Sequence, residues 1–551
     1  MSSPEIILTA DETMMSRYNG GIFVGFSTCM PAGVIPEWLY FRLIAPPVPR
    51  KNGRALQCDF GLRILEAVLK KEFGEDAVEV VHPRDLERVA GKETEIIGIT
   101  GHDYLGLNPP TSEFADLCPT GEPLNRKKFL ELMSKRVMKE KTVIAGGKAA
   151  WQLADEEIMR KLNIDYVFIG EAEVTAPEVF RKILSGDDLP RIICGKEAEV
   201  EEIPNIRGAT IHGLVEIARG CGRGCKFCTP TMQKFRCKSV EHILRDVSVN
   251  LMNGQRSICL HSEDLLRYMA DGLRVNEEAV KKLIREVIRL KPEKLGVSHV
   301  ALSTVYHNPE LLREISEMIY SNLDQSFIGV QTGIETGSPR LMEMYMKGKC
   351  APSPPEKWPE IVRESIEVMN ECRWIPAATI INGLPGERKE DVLKTIELVE
   401  DLRNSEVLIV PMNFVSMRGS GLDRERSFTK EKMLPEHWEL LGICIEHDVR
   451  VGKRLVNLYL RGLKSYPVRL IFRYLMRAAE KYARRMKRGE PPVDYSKIGA
   501  PSLFSVRGKP RHDLLLKDIL DGKGKVSRDA ERLSHGDQGE EIDQRILEQK
   551  G

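Results

Sequence analysis

Between residues 20 and 190, short apolar runs alternate with longer stretches whose apolar residues recur every three or four positions. Runs at 22–26, 78–81, 95–100, 142–145 and 166–169 read as strands. Leu62, Leu65, Val68 and Leu69 put an apolar stripe on a helix over 61–73, and further helices fit 125–139 and 149–161. Glycines and polar loops follow these strands: the loop Gly101 to Pro110, then Gly146-Gly147, then Gly170-Glu171-Ala172-Glu173. Strands and helices in alternation predict an α/β fold with an open parallel, Rossmann-like sheet over 1–190, and ligands of such sheets bind beyond the strand carboxyl ends. Residues 191–212 read as a connector. A second series follows, with strands at 213–218, 257–260, 297–302, 327–332, 376–381 and 407–410. Strands separated by helices predict a partial (β/α)6 barrel over 213–430, with its chemistry at the strand carboxyl ends. Residues 431–520 read as helical, and 521–551, polar and nearly free of aromatics, as a disordered tail.

Composition narrows this little. Apolar residues are 42% and charged residues 30%, a globular balance. No run reaches the roughly 18 uncharged apolar residues of a membrane span, and the first 12 residues lack the pattern of a signal peptide. A cytoplasmic protein is expected. Of 12 cysteines, nine stand singly and three cluster, which is no disulfide framework. Net charge is +1, yet Arg469 to Arg488 holds eight Lys/Arg against one Glu. There Arg469, Arg473, Arg477, Lys481 and Arg485 form an i,i+4 row. Packing of this helix, 466–488, on the barrel with a solvated basic face is the plain reading. Peripheral contact with anionic lipid and contact with RNA are the sharper ones.

The chemistry-bearing segment is Gly220-Cys221-Gly222-Arg223-Gly224-Cys225-Lys226-Phe227-Cys228. Thiolates spaced CxxxCxxC wrap one metal centre and select zinc or an iron–sulfur cluster. Structural zinc takes four closed ligands. With three cysteines local, either a distant fourth ligand completes zinc or a cluster keeps one iron open. Cys237 is the one local fourth, read as a free cysteine beside the barrel.

This spacing, at the end of the first strand of a βα series, resembles the signature of the radical S-adenosylmethionine (SAM) superfamily. The resemblance implies a [4Fe–4S] cluster on Cys221, Cys225 and Cys228, SAM on the open iron, and Phe227 beside its adenine. Glu263 or Asp264 would meet the cofactor's ammonium, with a helix N-cap as the other reading of Asp264. Glu335 would accept from the ribose, and Arg340 would pair with the carboxylate. Gly383 and Gly386, in Asn382-Gly-Leu-Pro-Gly-Glu387, would let backbone approach the adenine. In this superfamily an open sheet ahead of the cluster typically binds cobalamin, and Gly146, Gly147 and Gly170 fit that pattern. The base-off DxHxxG motif is absent, so His102 is only the nearest candidate for a cobalt ligand, and a hydrogen-bonding role is its other reading. The opening, Ala10 to Tyr18, resembles archaeal members, whose relatives include tetraether lipid ring synthases.

The implied activity is reductive SAM cleavage to functionalise an unactivated C–H carbon, with cobalamin-dependent methyl transfer as the expected outcome. Radical C–C bond or ring formation on an archaeal membrane lipid is the alternative. Methylthiolation of tRNA or protein is disfavoured, since Cys29, Cys58, Cys118 and Cys194 lack cluster spacing. Expected partners are a small-molecule or lipid substrate and an electron donor such as ferredoxin or flavodoxin, not nucleic acid.

Overall fold

The computed structural model describes residues 3–18, 22–117, 121–459 and 466–495. Its first layer is a parallel sheet of β1 (Ile6–Ala10), β2 (Val78–Val80), β3 (Ile96–Thr100), β4 (Thr142–Gly146), β5 (Tyr166–Ile169) and β6 (Ile192–Cys194), in the order β2-β1-β3-β4-β5-β6. Helices α1 (Phe60–Phe73), α2 (Leu124–Met133), α3 (Glu156–Leu162) and α4 (Ala176–Ser185) connect them. Asp59 starts α1 by accepting from Gly61 N–H at 2.9 Å, and Asp155 starts α3 by accepting from Glu157 N–H and Ile158 N–H.

Three sequence expectations are corrected. An interior strand, Ile6–Ala10, pairs on both sides, and every residue of it is buried, as such a strand requires. The run at 22–26 instead begins a 3₁₀ helix, Ile22–Cys29. There Ser27 and Thr28 hydroxyls donate back to Val24 and Gly25 carbonyls, which favours tight turns over a ladder. The segment read as a connector supplies the sixth strand, since Ile192–Cys194 pairs in parallel with β5. The stretch read as one helix over 149–161 is broken at Ala154, where Asp155 opens a new one.

The second layer holds β7 (Leu214–Glu216), β8 (Ser257–His261) and β9 (Lys294–Val297) in one parallel sheet, and β10 (Ile328–Glu335), β11 (Trp374–Asn382) and β12 (Leu408–Asn413) in another. A parallel bridge between His299 and Gln331 joins the two, so the strands run in chain order around an open barrel. The third strand lies earlier than 297–302, because the chain turns into the short helix Leu302–His307. Helices α5 (Val240–Met252), α6 (Glu277–Arg289), α7 (Pro309–Asn322), α8 (Trp358–Glu371) and α9 (Lys389–Asp401) cover the outside. One apolar core fills the space between them, with Trp358 and Trp374 fully buried in it.

Helices α10 (Pro435–Tyr459) and α11 (Tyr466–Met486) pack on each other. In α11, Ala483 and Met486 are buried, while Arg477 and Lys481 are exposed. Lys487 reaches Glu446 across the pair, and Arg485 reaches Glu490. The side chains of Arg469 and Arg473 lie outside the described set, as does the expected tail at 521–551. Among the described residues no helix is long and apolar enough to cross a membrane.

Candidate cluster and cofactor site

The three cysteines sit on the loop of a short hairpin whose strands are Ala218–Arg219 and Arg236–Cys237, just beyond β7. Cys225 is buried, Cys221 and Cys228 are partly so, and Phe227 packs against the barrel core. Burial pushes the Cys225 thiol up to about 11 and Cys228 up to about 12, and each also feels the neighbouring cysteines as like charges. The thiolates of Cys225 and Cys228 so enclosed call for a cationic centre beside them. Among the described residues no three His, Cys, Asp or Glu side chains are gathered to hold one metal ion. A cubane cluster asks something different, because its cysteines are spread over separate irons.

The loop is clamped from several directions. Arg223, inside the motif, donates to Asp264 Oδ2 at 2.8 Å, Thr304 Oγ1 at 2.6 Å and Ser303 Oγ at 2.9 Å. Asp264 is therefore committed to the loop arginine, and its side chain makes no cap hydrogen bond. Glu263, next to it, is a charged neighbour of Cys228, His261 and His299.

Glu335 accepts from Lys349 Nζ at 2.7 Å and from Thr379 Oγ1 at 3.0 Å. It adopts φ +63, a left-handed conformation unusual for a side-chain-bearing residue. The structure engages Arg340 elsewhere than the resemblance implies: it pairs with the buried Asp391 and donates to Gly386 O at 2.8 Å. Gly383 also differs. A Cβ there would fall 1.9 Å from the Phe428 ring, so the space it opens is filled by this chain's own aromatic. At Gly386 nothing lies within 4 Å of such a Cβ.

Around this mouth several buried polar atoms have no hydrogen-bond partner: Ser262 Oγ, Thr332 Oγ1, Asn382 Nδ2 and both side-chain polar atoms of Asn413. They lie on or directly after β8, β10, β11 and β12, toward the carboxyl ends. Buried groups of this kind ordinarily have partners, so a polar ligand is the natural complement.

The Rossmann-like sheet meets the barrel at this mouth. Gly146, Gly147 and Gly170 end β4 and β5 as expected. Glu171 and Glu173, just after, take Arg219 at 2.8 and 2.9 Å, and Glu216 takes it at 2.9 Å. Burial works against Glu216's charge, but Lys238 and Arg219 prevail and hold its carboxyl at about 2. Arg219, two residues before Cys221, is thus anchored to the other domain. His102 is half-exposed, with its Nε2 3.4 Å from Asp59 Oδ2.

Sequence reasoning missed Arg223 and Lys349 and the pair His261 and His299, whose Nδ1 atoms both lie 3.0 Å from Ser298 Oγ. It also missed Glu113, on the helix Thr111–Leu117, whose carboxyl faces the Asn413 backbone N–H and is pushed up to about 8 by burial. A histidine ending a βα strand was the one available signal.

Residues 215–399 match the radical SAM superfamily. The chain carries a radical SAM domain. A ribosomal protein uS12 methylthiotransferase RimO of Thermotoga maritima is 26% identical over 258 residues, covering 45% of this chain and 54% of that protein. A tRNA-2-methylthio-N(6)-dimethylallyladenosine synthase of Sulfurihydrogenibium is 24% identical over 266 residues, 46% of this chain and 56% of that one. The chain thus spans about half the length of these curated relatives. A solved structure of the radical SAM methyltransferase TsrM from Kitasatospora setae, with cobalamin and a [4Fe–4S] cluster bound, superimposes with a TM-score of 0.50 at 13% identity. It covers 76% of this chain and 74% of TsrM, so the likeness in fold extends past the residues that match the radical SAM superfamily.

Proposed function

We propose that Cys221, Cys225 and Cys228 hold a [4Fe–4S] cluster that cleaves SAM reductively, and that the Rossmann-like sheet binds cobalamin for methyl transfer to an unactivated carbon. The observation that carries this reading is the seam itself. The carboxyl edge of the parallel sheet, where ligands of such sheets bind, is tied by Glu171 and Glu173 to the arginine beside the cysteine loop. When bound, the cluster and SAM supply a carbon radical able to abstract hydrogen, and cobalamin supplies the methyl group.

The chain's own residues supply position. Arg223 and Asp264 fix the loop, and Phe227 and the orphaned Thr332, Asn382 and Asn413 would contact the nucleoside. Glu335 and Glu263 offer carboxylates to its hydroxyls and ammonium. Arg340, held by Asp391, positions the Gly386 carbonyl beside it. The packing of the sheet's carboxyl edge against the cysteine loop would limit water at the reacting centre.

The reading is tested by reconstituting the chain anaerobically with iron, sulfide and hydroxocobalamin. Corrinoid should co-elute with the protein, and reduced samples should convert SAM to 5′-deoxyadenosine. Cleavage without any retained corrinoid would remove methyl transfer and leave direct radical coupling.

A second reading, methylthio transfer, is favoured by the two methylthiotransferase relatives. Against it, Cys29, Cys58 and Cys194 stand on separate elements: the 3₁₀ helix Ile22–Cys29, a two-residue strand ahead of α1, and β6. An iron count of about eight per chain rather than about four would decide for it.

A further inference from the structure

We propose that the buried ion pair Lys349–Glu335 sets the electron affinity of the cluster, Lys349 raising its reduction potential and Glu335 restraining that rise. The inference rests on the cluster assignment above and concerns the residues around it.

Lys349 is built into the cluster loop's surroundings by backbone fits. Lys226 N–H donates to Tyr345 O at 2.8 Å. Arg223 Nη1 donates toward Gly348 O at 3.3 Å and Lys349 O at 3.4 Å. Gly348 lies so close to the loop that a Cβ there would fall 1.9 Å from Arg223 O. The ammonium that emerges from this segment is 16% exposed, and its partner Glu335 is 7% exposed.

The other side of the pair is equally constrained. A Cβ on Gly333 would fall 1.9 Å from Glu335 Oε1 and 2.6 Å from Lys349 Nζ, so a glycine in β10 makes room for both. The register of β10 against β11 shifts between Gly333 and Glu335, and Glu335 takes up the left-handed backbone. Strain of this kind persists where the surroundings over-determine it.

Lys349 is the strongest charged neighbour of Cys225, and both Cys225 and Cys228 act on it in return. Its ammonium is held in place by the ion pair with Glu335 at 2.7 Å. A fixed cation beside cluster thiolates favours the state with one more electron, and net charge around the cluster is one of the protein's levers on its potential. In a poorly solvated site that effect is little screened. Glu335, one negative charge at 2.7 Å from the cation, cancels part of it.

The test is a redox titration of the reconstituted chain without SAM. Dithionite or titanium(III) citrate supplies the single electron, and the reduced cluster is read by electron paramagnetic resonance. Lys349→Met should cut the ratio of reduced to oxidised cluster about tenfold at a fixed poise, about 59 mV for a one-electron couple. Lys349→Arg should stay near the wild type, and Glu335→Gln should move the midpoint the opposite way. Should Lys349→Met lose its iron, the opposed shift of Glu335→Gln alone decides. An unchanged midpoint in Glu335→Gln, or an equal loss in Lys349→Met and Lys349→Arg at full iron content, overturns the proposal. A wild type that takes up no iron would instead defeat the cluster assignment, a different failure.

Discussion

The two rims that meet at the seam are built on opposite principles. On the N-terminal rim, the loop after β3 satisfies itself. Asp103 accepts from the backbone of Leu107 and Asn108 and from Gln152 Nε2, Gln152 Oε1 accepts from Leu105 N–H, and the Tyr104 hydroxyl reaches Ile99 O and Gly146 O. On the barrel rim, Ser262, Thr332, Asn382 and Asn413 keep buried polar atoms without partners. The loop after β3 is satisfied before any ligand arrives; the barrel rim carries unmet hydrogen-bonding capacity. A preformed, self-satisfied rim suits a large ligand recognised by shape, and an unsatisfied rim suits a polar one recognised group by group.

The largest way to break the comparison is to cut what joins the rims. Arg219→Met leaves Glu171 to Arg236 and Glu216 to Lys238 but takes from the buried Glu173 its ion-pair partner, and should cost about 3–5 kcal/mol in chemical denaturation. It should also expose the hairpin at 218–237 to proteolysis ahead of the barrel core. A loss below about 1 kcal/mol would mean that the seam is not a structural tie.

The contrast is sharpened by one matched pair. Gln152→Leu, in the self-satisfied loop's surroundings, leaves Leu105 N–H without its acceptor and Asp103 without one of its donors, and should cost about 1–3 kcal/mol. Thr332→Val removes an atom that already lacks a partner, so stability should hold or rise slightly, while SAM binding by calorimetry weakens by about tenfold. Equal destabilisation by both variants would erase the distinction.

The smallest effect is a pH dependence. Glu113 sits between the rims with its carboxyl held at about 8, well above the ordinary value of about 4.3. A folded value above the unfolded one means that the native state binds more protons across this window. Its contribution is therefore full below about pH 4.3 and is lost as pH rises through about 8. Glu113→Gln should flatten that slope in thermal melts between pH 5 and 9; an unaltered slope would place its origin elsewhere.

How far the sequence carried this picture depends on the range of the interactions. Strands of both series were legible because each is a short apolar run, and the cysteine loop because its ligands lie within eight residues. Ile6–Ala10 escaped because a lone short apolar run without a flanking βα pattern does not mark itself as an interior strand. Arg340 is assigned to a ligand by motif position, yet the buried Asp391, 51 residues on, takes it. Gly383 reads as room for a cofactor, and Phe428 occupies that room. Arg223 and Lys349 owe their places to contacts with residues 41 and 126 positions away, which no local spacing encodes.

The central claim is a cluster on three cysteines that cleaves SAM, and an anaerobic iron and product assay tests it most directly. The account predicts about four irons per chain with the broad absorbance of a [4Fe–4S] cluster, formation of 5′-deoxyadenosine on reduction, and loss of both in Cys225→Ala. One tightly bound zinc per chain, with no 5′-deoxyadenosine formed under any reductant, would contradict it.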